Sequence, residues 1–253
     1  MRRVRVLVVL IFSLASASVA DTVIFTETCA SSPVQYLPSS TTVTVGTAWG
    51  SRVTLVGSPT KQINSGTTSC TVETGELNLG FGYVASPNPT TNTYYADFQW
   101  IDLGNVSATA AIGFLVNYID ASNYYACLIL DDTTSGVTKI VKVAGGSGST
   151  LATGTQGTVP ANDVIECRID YSGASPVITF TNATDVVQFL TATDSSSPLT
   201  KTKKAGVMMG ATPQASTDDT NQNVAFDTFR VSTVPDGGGP TAQPRPPWFG
   251  RAF

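Results

Sequence analysis

The segment ASNYYACLILDD, residues 121–132, decides how the rest of the chain is read. A small polar turn leads into Tyr124 and Tyr125. An apolar run with Cys127 at its centre follows, and Asp131-Asp132 closes it. Side chains alternate across a strand, so Tyr125, Cys127 and Ile129 share one face while Tyr124 has the opposite parity. Both faces of 124–130 are apolar. That pattern predicts a strand covered on both sides or set in the middle of a sheet. Tyr125 is expected in the core, and Tyr124 is the tyrosine free to face outward.

Working outward, the same period of two recurs. Strands are predicted at 22–26, 52–56, 75–79, 94–101, 110–118, 139–143, 164–171, 177–181, 205–209 and 224–231. Turn pairs such as Asn88-Pro89, Gly145-Gly146 and Ser172-Gly173 separate them. No stretch sustains a 3.6-residue period. Many short strands joined by such turns read as an all-β sandwich or barrel. In 164–171, Ile165, Cys167, Ile169 and Tyr171 fall on one face; Val164, Glu166, Arg168 and Asp170 fall on a face expected to be wet.

Composition bounds the class. The 253 residues suit one large β domain or two small ones, and only 13% are charged. At the N-terminus, Arg2, Arg3 and Arg5 precede an apolar run and small residues, the pattern of a secretory signal over 1–20. Its apolar run is short for a membrane span. Without those arginines the net charge falls from −4 to −7. An acidic chain suits neither nucleic acid nor anionic lipid, whose binding needs clustered cations. In an oxidising compartment the four cysteines are expected to pair. Cys29 and Cys70 are the favoured bridge, while Cys127 and Cys167 are either buried thiols or a second bridge. The stretch 235–253, PDGGGPTAQPRPPWFGRAF, cannot continue a sheet and reads as a tail. Its Trp248, Phe249 and Phe253 suit either a frayed end or a docking peptide for a partner or neighbouring subunit.

From 94 to 231 the order of segments resembles the laminin-G-like, concanavalin A-like lectin/glucanase jelly rolls of secreted and virion proteins. The runs that carry the likeness are YYADFQWIDLG, the NYY hairpin, KIVKVAGG, VIECRIDYSG, VITFTN and FDTFRV. The resemblance implies an antiparallel jelly-roll β-sandwich over 21–234, with FDTFRV pairing near DTVIFT. Such folds host lectins, hydrolases, adhesion modules and structural parts, so the likeness speaks to fold before activity.

The chain contains no histidine. That removes Ser-His-Asp and Cys-His catalysis in their usual forms, and His-based zinc sites. Carboxylate chemistry remains, but the Glu-x-Asp-x-x-Glu run of the glucanase branch does not occur. Glu166 and Asp170 share a strand face about 13 Å apart, too far for a retaining glycosidase pair. Calcium is the remaining cofactor candidate, with Asp131 and Asp132 as donors, although that pair reads first as a turn. Sugars need a ring platform beside planar polar groups. Tyr118, Asp120, Asn123 and Tyr124 gather at one hairpin tip; Tyr94, Tyr95 and Trp100 form a second aromatic cluster. Asn105-Val-Ser107 and Asn182-Ala-Thr184 match glycan acceptor sequons.

The sequence therefore predicts a secreted, non-catalytic recognition module with a glycan, or a cell-surface or other protein, as partner. The alternatives are a virion or extracellular assembly subunit that oligomerises through its tail, and a glycoside hydrolase with carboxylates on loops.

Overall fold

The computed structural model describes residues 23–30, 35–36, 43–46, 48–56, 63–65, 69–73, 80–85, 89–102, 111–130, 137–155, 159–202, 204–209 and 223–234. The expected signal segment 1–20 and tail residues Trp248, Phe249 and Phe253 lie outside them. So do Asp131, Asp132, Asn105 and the strand expected at 75–79.

Among the described residues, seventeen strands form two antiparallel sheets. The larger runs β15 (Val187–Thr193), β14 (Val177–Asn182), β13 (Val164–Asp170), β8 (Thr93–Asp102), β17 (Asn223–Ser232), β6 (Cys70–Glu73), β5 (Ile63–Ser65) and β2 (Gln35–Tyr36). β1 (Val23–Glu27) also pairs with β17 and carries β3 (Val43–Val45). The β1–β17 pairing expected from FDTFRV and DTVIFT is thus present. The smaller sheet runs β12 (Ser147–Thr155), β11 (Val137–Ala144), β10 (Asn123–Leu130), β9 (Ala111–Asp120), β16 (Ala205–Met209), β7 (Gly80–Ala85) and β4 (Val53–Val56).

The two sheets pack face to face as a sandwich. The inward residues of β8 (Tyr94, Ala96, Phe98, Trp100) and of β13 (Ile165, Cys167, Ile169) meet those of β9 (Ile112, Phe114, Val116) and β10 (Tyr125, Cys127, Ile129) in one buried cluster. Phe98 stacks on Phe114 across the interior at 4.4 Å. At one flank Phe25, Trp49 and Phe229 form an aromatic knot, with centroids 4.8–6.0 Å apart. The alternation in the sequence therefore delivers the core, because each strand buries the side chains of one parity. Tyr94 and Trp100 belong to this core, at 0% and 1% exposure. They form no surface platform, which corrects the second aromatic cluster.

Both disulfides form. Cys29–Cys70 is the favoured pair. Cys127–Cys167 ties β10 in one sheet to β13 in the other. A potential metal cluster of Glu27, Cys29 and Cys70 is thereby disposed of, since both sulfurs are bonded to each other.

β10 lies mid-sheet and is buried on both faces, as its composition requires. Its closeness to β9 depends on Gly113, where a Cβ would lie 1.9 Å from the Cys127 carbonyl oxygen. Gly113→Ala must therefore prise β9 from β10. Overpacking of this kind costs about 1–3 kcal/mol, and urea unfolding should show the midpoint falling accordingly.

At the end of the sandwich where Ser232 lies, Asn117 fixes the crossover from β15 to β16. It is fully buried with a left-handed φ of 49°. Its amide donates to the Thr200 carbonyl and accepts from the Thr202 N–H, while its backbone N–H donates to the Tyr94 hydroxyl.

Candidate functional site

The four hairpin residues named from the sequence do come together. Tyr118 and Tyr124 stack with centroids 6.4 Å apart and planes 27° apart. Tyr124 points away from the sandwich interior, as its parity requires, yet it is only 2% exposed. Burial raises its hydroxyl pKa to about 12. The Asp120 carboxylate accepts from the Ser122 N–H and the Asn123 side-chain amide, and the Asn123 carbonyl accepts from the Gly145 N–H. These bonds tie two neighbouring hairpin turns together and account for Asp120 and Asn123 without a ligand. The second sequon fails on similar grounds. Asn182 is 3% exposed, and its Nδ2 donates to Asp163 at 2.6 Å and to Asp185 at 3.2 Å. No acceptor amide is free there for a glycan.

The outer face of the ten-stranded sheet carries a different set. β8 reads TYYADFQWID; with its even-numbered residues inward, Tyr95, Asp97 and Gln99 must point out. β13 likewise turns Glu166, Arg168 and Asp170 outward. The register then places Glu166 opposite Asp97, Arg168 opposite Tyr95, and Arg230 of β17 opposite Asp97 on the other side. Arg230, Asp97 and Glu166 thus form one row across three strands. Directly opposed residues have Cβ atoms about 5 Å apart.

Contacts within this row are specific. Arg230 Nε donates to Asp97 Oδ2 at 3.2 Å. The Arg168 guanidinium sits 5.9 Å from the centre of the Tyr95 ring and pairs with Asp170. Arg168 Nε is buried without a hydrogen-bond acceptor. Burial raises the Tyr95 hydroxyl pKa; Arg168 opposes that shift, and Glu166 and Asp170 add to it. The Asp170 carboxyl titrates below its usual range, chiefly because it accepts the Ser172 N–H, with Arg168 contributing. Tyr95, Gln99, Arg168 and Asp170 are part-exposed, whereas Asp97 and Glu166 lie beneath them at 3% and 5%.

The expectation of a wet face on β13 is therefore corrected at Val164 and Glu166, which are buried. The Asp97–Glu166 pair escaped the sequence reading because its members are far apart in the chain. Only strand pairing brings them together, and alternation gives the face of a strand but not its neighbour.

No family model matches the chain, and no curated protein matches it. Among solved structures, carbohydrate binding module CBM66 from Bacillus subtilis overlaps 70% of this chain and 91% of its own, at 14% identity and a TM-score of 0.41. The CBM2 module of Lactobacillus casei BL23 phage J-1 evolved Dit overlaps 84% and 96%, at 10% identity and 0.46. For the xylan beta-1,4-xylosidase from Bacillus halodurans C-125 the values are 64%, 32%, 11% and 0.44, so this chain spans about a third of that enzyme. Overlaps with TM-scores under 0.5 say nothing of what this chain binds.

Proposed function

We propose that the protein is a non-catalytic, extracellular recognition module that binds carbohydrate on the outer face of the ten-stranded sheet. The observation that carries this reading is the Tyr95 ring packed beside Arg168, next to the Asp97–Glu166–Arg230 row. A sugar presents C–H faces to a ring and hydroxyls to charged and amide groups, and this face offers both. The two disulfides fit an oxidising compartment outside the cytosol.

Asp97 and Glu166 are opposed on neighbouring strands, and a retaining glycosidase also uses two neighbouring carboxylates. Two facts favour binding over hydrolysis: both acids are almost wholly covered, and Asp97 is already held by Arg230. A general acid must reach the leaving oxygen and give it a proton.

Tyr95→Ala and Arg168→Ala should each weaken binding of an array-selected glycan roughly ten-fold or more, a loss of about 1.4 kcal/mol or more on titration calorimetry. Asp120→Asn at the hairpin should leave it unchanged. An array without a single hit refutes the binding reading. Turnover of an aryl glycoside that Glu166→Gln abolishes would replace it with the enzyme.

A further inference from the structure

The register that sets Arg168 beside Tyr95 continues across the ten-stranded sheet. Arg168 lies opposite Thr179 of β14, and Thr179 lies opposite Thr191 of β15. Ile178 and Phe180 of β14, and Leu190 and Ala192 of β15, belong to the core, so both threonines point outward with Tyr95 and Arg168. Tyr95, Arg168, Thr179 and Thr191 therefore stand in one row that crosses the strands. The one register shift in these pairings falls outside the row, between Phe180 and Thr181. Three strand spacings make the row about 14 Å long. Tyr95, Arg168 and Thr179 are half-buried, and Thr191 is exposed.

The two ends of the row differ. Past Tyr95 it continues to Ser232 of β17, which is fully buried. At Thr191 it reaches β15, the end of the strand order, and opens there. The hydroxyls along it are directed. Thr191 Oγ1 donates to the Ile178 carbonyl at 3.3 Å and lies 3.5 Å from Thr179 Oγ1. With its proton on that carbonyl, Thr191 accepts from Thr179, and the lone pairs of Thr179 can accept from a sugar hydroxyl. Charge narrows the ligand class. Arg168, the row's single charge, pairs with Asp170 in the row on one side. The row on the other side holds Asp97 and Glu166 with Arg230. Carboxylates on both flanks disfavour an acidic sugar, because like charges repel at an interface.

We propose that the sugar on Tyr95 is one unit of an uncharged, extended glycan chain that crosses the strands over Arg168 and Thr179 and passes the sheet edge at Thr191. About three pyranose rings cover the row, at about one ring per strand spacing. This inference rests on the carbohydrate reading and adds Thr179 and Thr191 to it as a further subsite. A ligand confined to Tyr95 gains nothing from a second or third ring, whereas a chain along the row gains from each.

Titration calorimetry of the purified protein with cello-, xylo- and manno-oligosaccharides of one to five units tests this, with oligogalacturonate as the acidic control. In at least one neutral series, affinity should rise about ten-fold or more between one unit and three and then level off. The acidic control should bind far more weakly. Thr179→Val combined with Thr191→Val removes both hydroxyls and keeps two β-branched side chains on the strands. The pair should erase most of the gain with chain length while the melting temperature stays unchanged; Thr191→Val alone takes its place if the pair does not fold. Affinity that does not grow with chain length overturns the inference. So does a gain that survives loss of the hydroxyls, equal binding of oligogalacturonate, or no binding in any of the three neutral series. If those series fail while an array still returns a glycan whose binding Tyr95→Ala weakens, the carbohydrate reading stands and only the chain across the row falls. An array without a hit removes both.

Discussion

Replacing Cys127 and Cys167 together by alanine should lower the stability of the protein by about 4 kcal/mol. The bond closes a loop with a sequence separation of 40. Chain-entropy arguments give a cross-link of that span roughly 4 kcal/mol, acting through the unfolded state. For a domain of this size, that corresponds to a melting temperature lower by about 10 °C. The position of the bond makes the loss global. It joins β10 to β13, and so one sheet to the other, and both cysteines are fully buried in the core between the sheets. Cys29–Cys70 has nearly the same separation, 41, but joins segments of the ten-stranded sheet that both pair with β17. Its removal should leave that ladder standing and loosen mainly the β1–β6 flank. Calorimetry of the two double-alanine variants, with reductant as a control, separates these effects. A shift under roughly 3 °C for the inter-sheet pair would mean that packing alone joins the sheets.

That contrast shows what alternation can reveal. The parity of Cys127 with Tyr125 and Ile129, and of Cys167 with Ile165 and Ile169, put both sulfurs in the core from the sequence alone. It could not say that they face each other, because that depends on which strands oppose across the interior. The same gap hid the Asp97–Glu166 row, which needs the β8–β13 register. β12 was missed for another reason. SGSTLATGT has the composition of a loop, and it forms an edge strand with mostly exposed side chains because β11 supplies its hydrogen bonds. β15, VQFLTAT, is similar, held by β14 on one side. The apolar second face of β10, by contrast, was plain in the residues themselves.

Asp194→Ala should cost about 3–5 kcal/mol, the loss expected when one member of a buried ion pair is removed. Lys142 lies on β11 with its ammonium at the end of the sandwich and is only 7% exposed. Its Nζ meets Asp194 Oδ2 at 2.7 Å, the Ser196 carbonyl at 2.7 Å and the Ser197 carbonyl at 2.8 Å. Three N–H donors thus have three acceptors. The Tyr125 hydroxyl donates to Asp194 at 2.6 Å and accepts from the Leu199 N–H. This network pins the segment that carries the chain from β15 back to β16. Removing the carboxylate leaves a buried cation with only dipoles around it. Lys142→Met combined with Asp194→Leu leaves no charge behind and should cost far less than either change alone, so a double-mutant cycle reads the coupling. The pH dependence has a definite sign. Burial pushes the Asp194 carboxyl up, but hydrogen bonds from Lys142 and Tyr125, together with the lysine's charge, outweigh it and hold the carboxyl below its usual value. A carboxyl depressed in the folded state contributes fully above its unfolded pKa, near 4, and loses that contribution as pH falls through the folded value. Unfolding titrations should therefore show the native protein weakening below about pH 4. Asp194→Ala, already weaker at neutral pH, should follow a flatter curve there. Parallel curves for the two proteins would mean that the pair contributes nothing to acid stability.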